Sequence, residues 1–191
     1  MQPRPWRRVP QGPYRYVSRL YSTALVSPGL LHLGGPLTTL VFDGKYIACD
    51  SQVTQGSTKL LAEKWVTCNL PDGTPALCMM AGTFSEGRAA VAALVAGGDV
   101  LSALGEDTTL LVAAKGTVTV YDSDSHWVEP GPYCVGSGGH FAYAGLELGL
   151  SADQAVDLAA RLDLYSSSPV KCWDVRTLKA VKPKAAPRAP R

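Results

Sequence analysis

The chain has 191 residues, 46% of them hydrophobic, which suits one domain with a single sizeable core. Its net charge of +2 belongs to the ends: residues 1–37 carry five Arg and no acid, residues 179–191 carry three Lys and two Arg and no acid, and residues 38–178 are left at −8. A core of that sign argues against nucleic-acid binding, and no apolar run approaches the ~18 residues of a membrane span.

The first 37 residues are rich in Pro, Arg and Tyr. They read as a basic propeptide, a docking arm or an organellar presequence, the last suggested by a short amphipathic run from Tyr14 to Val26. From Thr38 the pattern alternates. Thr38–Phe42 and Lys45–Cys49 read as strands joined by the tight turn Asp43-Gly44. Lys64–Asn69 and Ala76–Ala81 form a second pair about Pro71-Asp72-Gly73, followed by an alanine-rich helix over Ser85–Ala96 that stops at Gly97-Gly98. Thr108–Ala114 and Thr117–Asp122 make a third hairpin about Lys115-Gly116. Helices follow over His140–Leu148 and Ala152–Leu162, the second with Ser151 as N-cap, and Val170–Val175 returns as a strand. Residues 179–191 have the composition of a flexible basic tail that adds little to the core. Strand pairs interleaved with helix blocks predict sheets covered by helices, not a Rossmann alternation.

Five scattered Cys with no C-x-x-C, and three His in no ligand spacing, predict a reduced cytoplasmic protein with no metal site and no cofactor. One residue breaks the pattern. Asp50 ends a run, Tyr46-Ile47-Ala48-Cys49, that otherwise reads as a buried strand, and a carboxylate there needs a partner.

The stretch TTLVFDGKYIACDSQVTQG, residues 38–56, resembles the start of a mature proteasome β-type subunit, in particular the bacterial HslV-type peptidase that pairs with an unfoldase ATPase. Thr38-Thr39 stand where that family has its nucleophile, and Asp50, Gln52, Thr54 and Gly56 match its D-x-Q-x-T-x-G arrangement. Lys64 in AEKWVTC is the best match for the family's lysine, and Ala81-Gly82 for the pair lining its substrate groove. The GSGG run, Gly136–Gly139, puts Ser137 at the assisting-serine position. Asp163 and Ser166 match an Asp and a Ser three apart before the last core strand. Each motif alone has an ordinary reading: a strand threonine, a turn aspartate, a surface lysine, a glycine loop ahead of a helix. Six in order, over residues 38–176, are specific.

The resemblance implies an α+β fold, the four-layer αββα sandwich of N-terminal-nucleophile (Ntn) hydrolases, over residues 38–178. It implies a threonine-type endopeptidase that cleaves itself before Thr38, with Asp50, Lys64, Ser137, Asp163 and Ser166 as its further catalytic residues and Thr54, Ala81 and Gly82 binding substrate. A threonine hydroxyl is a weak nucleophile until a base takes its proton. The free α-amine of the same residue titrates near ~7.7–8.0, suited to that task. A buried ammonium beside the hydroxyl favours its deprotonated form, Asp50 keeps that ammonium charged and oriented, and the Gly82 N–H serves as an oxyanion donor. The implied partners are further copies of the chain, in a ring of six or seven that stacks on a second ring, an AAA+ unfoldase ATPase, and unfolded polypeptide as substrate.

Three features depart from the family: Pro36-Leu37 replaces the usual glycine before the nucleophile, the Thr38-to-Asp50 interval is a few residues short, and SSSPV (Ser166–Val170) replaces a glycine-containing turn. Two further readings therefore stand beside the peptidase. One is a catalytically inactive proteasome-like subunit acting as a structural ring, its basic arm docked on a neighbour's acidic core; the other is a small-amide hydrolase on the same fold.

Overall fold

A computed structural model describes residues 38–55 and 57–187. The propeptide, docking-arm and presequence expectations for residues 1–37, and Gly56 of the Asp50 motif, lie outside the described residues.

The chain begins with the expected hairpin, β1 (Leu40–Phe42) and β2 (Tyr46–Cys49), paired antiparallel with Leu40 opposite Cys49. Asp43 builds the turn, its Oδ1 accepting the N–H groups of Lys45 (2.9 Å) and Tyr46 (2.7 Å). Its Oδ2 accepts the Ala152 N–H at 2.9 Å, satisfying a donor at the start of a distant helix. The strand starts two residues later than the threonine pair suggested. The amide and hydroxyl of Thr39 bond to side chains and leave the ladder.

A two-stranded hairpin, β3 (Gln52–Gln55) with β4 (Thr58–Leu61), follows, and the sequence had not signalled it. Next comes β5 (Trp65–Asn69), then β6 (Pro75–Ala81) and helix α1 (Phe84–Ala96), which Gly97 ends in the left-handed conformation. A 3-10 turn at Leu101–Ala103 leads to β7 (Thr109–Ala114) and β8 (Thr117–Tyr121), which form the expected hairpin, then to β9 (His126–Glu129) and β10 (Tyr133–Val135). Helices α2 (Gly139–Glu147) and α3 (Ala152–Leu162) pack on each other, and β11 (Lys171–Asp174) and β12 (Ala180–Val181) close the described chain.

Two five-stranded antiparallel sheets result, in the orders β10-β1-β2-β11-β12 and β5-β6-β7-β8-β9. Because successive strand residues point to opposite faces, one strand feeds two cores. Leu77, Met79 and Ala81 of β6 join Leu111, Val118 and Val120 against Leu40, Phe42, Ile47 and Trp173 of the other sheet. The alternate residues Ala76, Cys78 and Met80 pack with Ala90 and Val91 of α1. On the first sheet, Val41, Ala48 and Cys172 turn instead to Ala142 of α2 and Ala155, Val156 and Ala159 of α3. Both faces of each sheet are thus occupied, which is why these strands read as nearly continuous apolar runs.

The tail departs from expectation. Residues 180–181 pair with β11, Asp153 accepts the Lys184 N–H at 2.6 Å, and Asp157 accepts the Ala186 N–H at 2.9 Å. Carboxylates on α3 thus hold a segment whose composition looked free, and Ala186 is buried.

Candidate active site

The end of the β1–β2 hairpin away from its turn brings Thr38 and Asp50 together, and the start of β5 brings Lys64 to both. The Lys64 ammonium donates to Thr38 Oγ1 at 2.6 Å and pairs with Asp50 Oδ1 at 2.8 Å. All three side chains are buried, Asp50 completely. Burial lowers the Lys64 pKa below the ordinary lysine value, and the charge and hydrogen bond of Asp50 oppose that shift. Asp50 is saturated: besides Lys64, its Oδ1 accepts the Thr39 N–H (2.9 Å), and its Oδ2 accepts the Gln52 (2.9 Å) and Ser167 (3.1 Å) N–H groups. The partner that a carboxylate at a buried strand end requires is therefore one lysine and three backbone amides.

A second cluster lies on the far side of the threonine pair. Asp163 Oδ2 accepts hydrogen bonds from Ser137 (2.7 Å) and Ser166 (2.6 Å). With its one proton given to Asp163, Ser166 Oγ receives the Thr39 hydroxyl at 2.7 Å. Ser137 also lies 3.4 Å from the Thr38 carbonyl oxygen. The glycine run around Ser137 follows from this crowding. Gly136 has φ +97°, and a Cβ there would sit 2.0 Å from the Thr38 carbonyl oxygen; one on Gly138 would meet Thr39 Oγ1 at 2.1 Å.

Of the residues singled out in the sequence, Thr38, Asp50 and Lys64 form one contact group and Ser137, Asp163 and Ser166 another, joined through residues 38 and 39. Thr54 lies on β3, its hydroxyl 3.3 Å from Gln52 Nε2. That hairpin is tied to the Asp163–Ser166 loop, because the Leu164 carbonyl accepts from Gln52 Nε2 (3.0 Å) and Lys59 Nζ (2.9 Å). Ala81 ends β6 and Gly82 follows it, and the Lys64 carbonyl accepts the N–H of the preceding Met80 at 2.9 Å. Sequence reasoning gave no role to Thr39 or Ser167. Thr39 carried a signal in being half of a polar pair at a strand start, whereas Ser167 contributes only its backbone. Among the described residues no group of three or more His, Cys, Asp or Glu is placed to hold a metal ion, and no helix is long and apolar enough to cross a membrane.

No family model and no curated protein matches this chain. Solved structures do. Anbu from Hyphomicrobium sp. strain MC1 superimposes with a TM-score of 0.58 at 12% identity over 77% of this chain and 85% of that one. Its Gly-1 mutant gives 0.58 at 14% identity over 77% and 87%. BPH of Thiobacillus denitrificans, solved in complex with epoxomicin, gives 0.53 at 19% identity over 72% and 96%. These neighbours are proteasome-like Ntn hydrolases, and the chain shares their mixed helix-and-sheet fold.

Proposed function

We propose that the chain is a threonine-type endopeptidase subunit of a proteasome-like ring, related to the HslV type and self-cleaved between Leu37 and Thr38. One observation carries this reading: the Lys64 ammonium, paired with a fully buried Asp50, donates to the Thr38 hydroxyl at 2.6 Å. Such a contact stabilises the alkoxide that forms when the hydroxyl proton leaves.

The two stages of the reaction need different bases. In the full-length chain the Thr38 nitrogen is a peptide amide and accepts no proton. A Lys64 that burial has made easier to deprotonate takes the hydroxyl proton instead. Oγ1 adds to the Leu37 carbonyl carbon, the C–N bond breaks, and the proton passes to the leaving Thr38 nitrogen. Water then hydrolyses the ester, which releases residues 1–37 with a Leu37 carboxylate and frees the Thr38 hydroxyl beside the new amine. In the processed subunit that amine is the base for peptide cleavage, Ser137, Asp163 and Ser166 have the role of hydrogen-bonding around it, and the Asp163 carboxylate favours its charged form. The Gly82 N–H donates to the oxyanion, and Thr54 and Ala81 hold substrate backbone.

Within the same reading, the fold is a four-layer αββα sandwich, and residues 1–37 are the propeptide. Copies of the subunit form stacked rings of six or seven in the cytoplasm, fed with unfolded polypeptide by an AAA+ ATPase. The test is the intact mass of the purified full-length protein and of Thr38→Ala, each with and without epoxomicin. The expected result is a wild type lacking 37 residues that gains one inhibitor mass, beside a full-length, unlabelled variant. A wild type that keeps residues 1–37 and takes up no epoxomicin would falsify the proposal.

A further inference from the structure

The loop that carries Gly82 is held by a polar clamp outside the cluster described above. Gly82 has φ +103°, and a Cβ there would lie 2.2 Å from the Asp107 carbonyl oxygen and 2.7 Å from Thr108 Cα, so the segment before β7 presses directly on it. Thr108 is buried. Its Oγ1 accepts the Thr83 N–H at 3.1 Å and donates to Glu86 Oε2. Glu86, in the first turn of α1, also accepts the Gly105 N–H at 3.1 Å. One carboxylate thus closes the 105–108 turn and fixes the Thr108 hydroxyl, which in turn holds the peptide joining Gly82 to Thr83.

Ordinary fold requirements do not call for this arrangement. The N-cap residue of α1, Thr83, makes no side-chain cap bond. Glu86, which from its place in the first turn could have reached back to the cap as in a capping box, is spent on the neighbouring segment. A glycine at φ +103° has wide freedom to reorient its N–H, and the clamp removes it.

We infer that Glu86 and Thr108 are positioning residues for the Gly82 oxyanion donor. Neither touches substrate; they set the direction of the Gly82 amide by locking the peptide that follows it. The inference rests on the peptidase reading above. A donor displaced by about 1 Å costs on the order of 10²-fold in rate, and the loss falls on the transition state. Removing the clamp therefore lowers kcat and leaves KM nearly unchanged.

The experiment compares full-length wild type, Thr108→Val, Thr108→Ser, Glu86→Leu and Glu86→Gln. Turnover of a pool of acetylated tripeptide aminocoumarin amides is measured and normalised to the processed fraction by intact mass. Thr108→Val and Glu86→Leu are expected to lose kcat by roughly 10- to 100-fold with KM within about threefold of wild type. Thr108→Ser and Glu86→Gln, which keep an acceptor and donor in place, recover most of it. A Thr108→Val enzyme with wild-type kcat, or a Thr108→Ser enzyme as impaired as Thr108→Val, overturns this inference alone. A wild type that neither self-cleaves nor turns over the peptides overturns it together with the peptidase reading.

Discussion

Replacing Lys64 by Met keeps most of the buried hydrocarbon and deletes the ammonium, which makes its energetic role measurable. Two charge-assisted hydrogen bonds disappear, 2.6 Å to Thr38 Oγ1 and 2.8 Å to Asp50 Oδ1. Losing one partner of a buried pair typically costs about 3–5 kcal/mol, mostly the penalty of an uncompensated buried charge. Here three of the four donors to Asp50 remain, the amides of Thr39, Gln52 and Ser167, so the carboxylate stays largely solvated by the protein. The expected loss is therefore at the low end, about 3 kcal/mol. With a urea m-value near 2 kcal/mol/M, the unfolding midpoint falls by roughly 1.5 M. Intact mass of the same preparation is expected to show an uncleaved chain. A destabilisation below about 1 kcal/mol would mean that Asp50 does not depend on its cation, contrary to the desolvation argument. Wild-type self-cleavage in a folded Lys64→Met protein would remove Lys64 from the chemistry.

The same residue carries a pH signature. Because the folded-state pKa of Lys64 is lowered, the unfolded chain binds more protons there between that value and ~10.4, and stability must rise with pH across that window. The stability difference between wild type and Lys64→Met should widen as the pH rises toward ~10.4 in urea titrations; a flat or narrowing difference would contradict the shift. Gly136→Ala places a methyl 2.0 Å from the Thr38 carbonyl oxygen at φ +97°, where backbone and not a flexible side chain must yield. It is expected to cost more than about 2 kcal/mol in thermal or urea unfolding and to block self-cleavage, and a variant processed like wild type would refute that close approach. Asp43→Ala removes the acceptor for Lys45, Tyr46 and Ala152 at once. A loss of about 1–2 kcal/mol is expected from the missing helix-end and turn bonds, checked by urea unfolding, with no change in the mass of the processed chain.

Local chemistry made much of the fold legible. Asp43-Gly44 and Lys115-Gly116 announce hairpins because a tight turn needs positive φ, which Gly44, Lys115 and Gly116 adopt. Gly97 stops α1 for a related reason, and the amphipathic pattern of α3 exposes its buried stripe of Ala152, Ala155, Val156 and Ala159. The β3–β4 hairpin and strands β9, β10 and β12 were not legible. They are two to four residues long, too short for a pattern of their own to stand out, and β10 is held by pairing with the distant β1.

The sequence by itself also determined which residue types the site contains and their order along the chain, because a threonine pair, a strand-end aspartate and a glycine run are visible without coordinates. Only the tertiary structure decided which of them touch. The pairing of β10 with β1 carries Ser137 to Thr38 across 99 residues, and the turn after α3 carries Ser166 to Thr39 across 127. It also decided that the two threonine hydroxyls face different clusters, Thr38 toward Lys64 and Thr39 toward Ser166. The physical reason is that hydrogen bonds of 2.6–2.8 Å demand sub-ångström placement. Contacts so distant in sequence obtain that placement from the packing of whole sheets and helices, which no local spacing encodes.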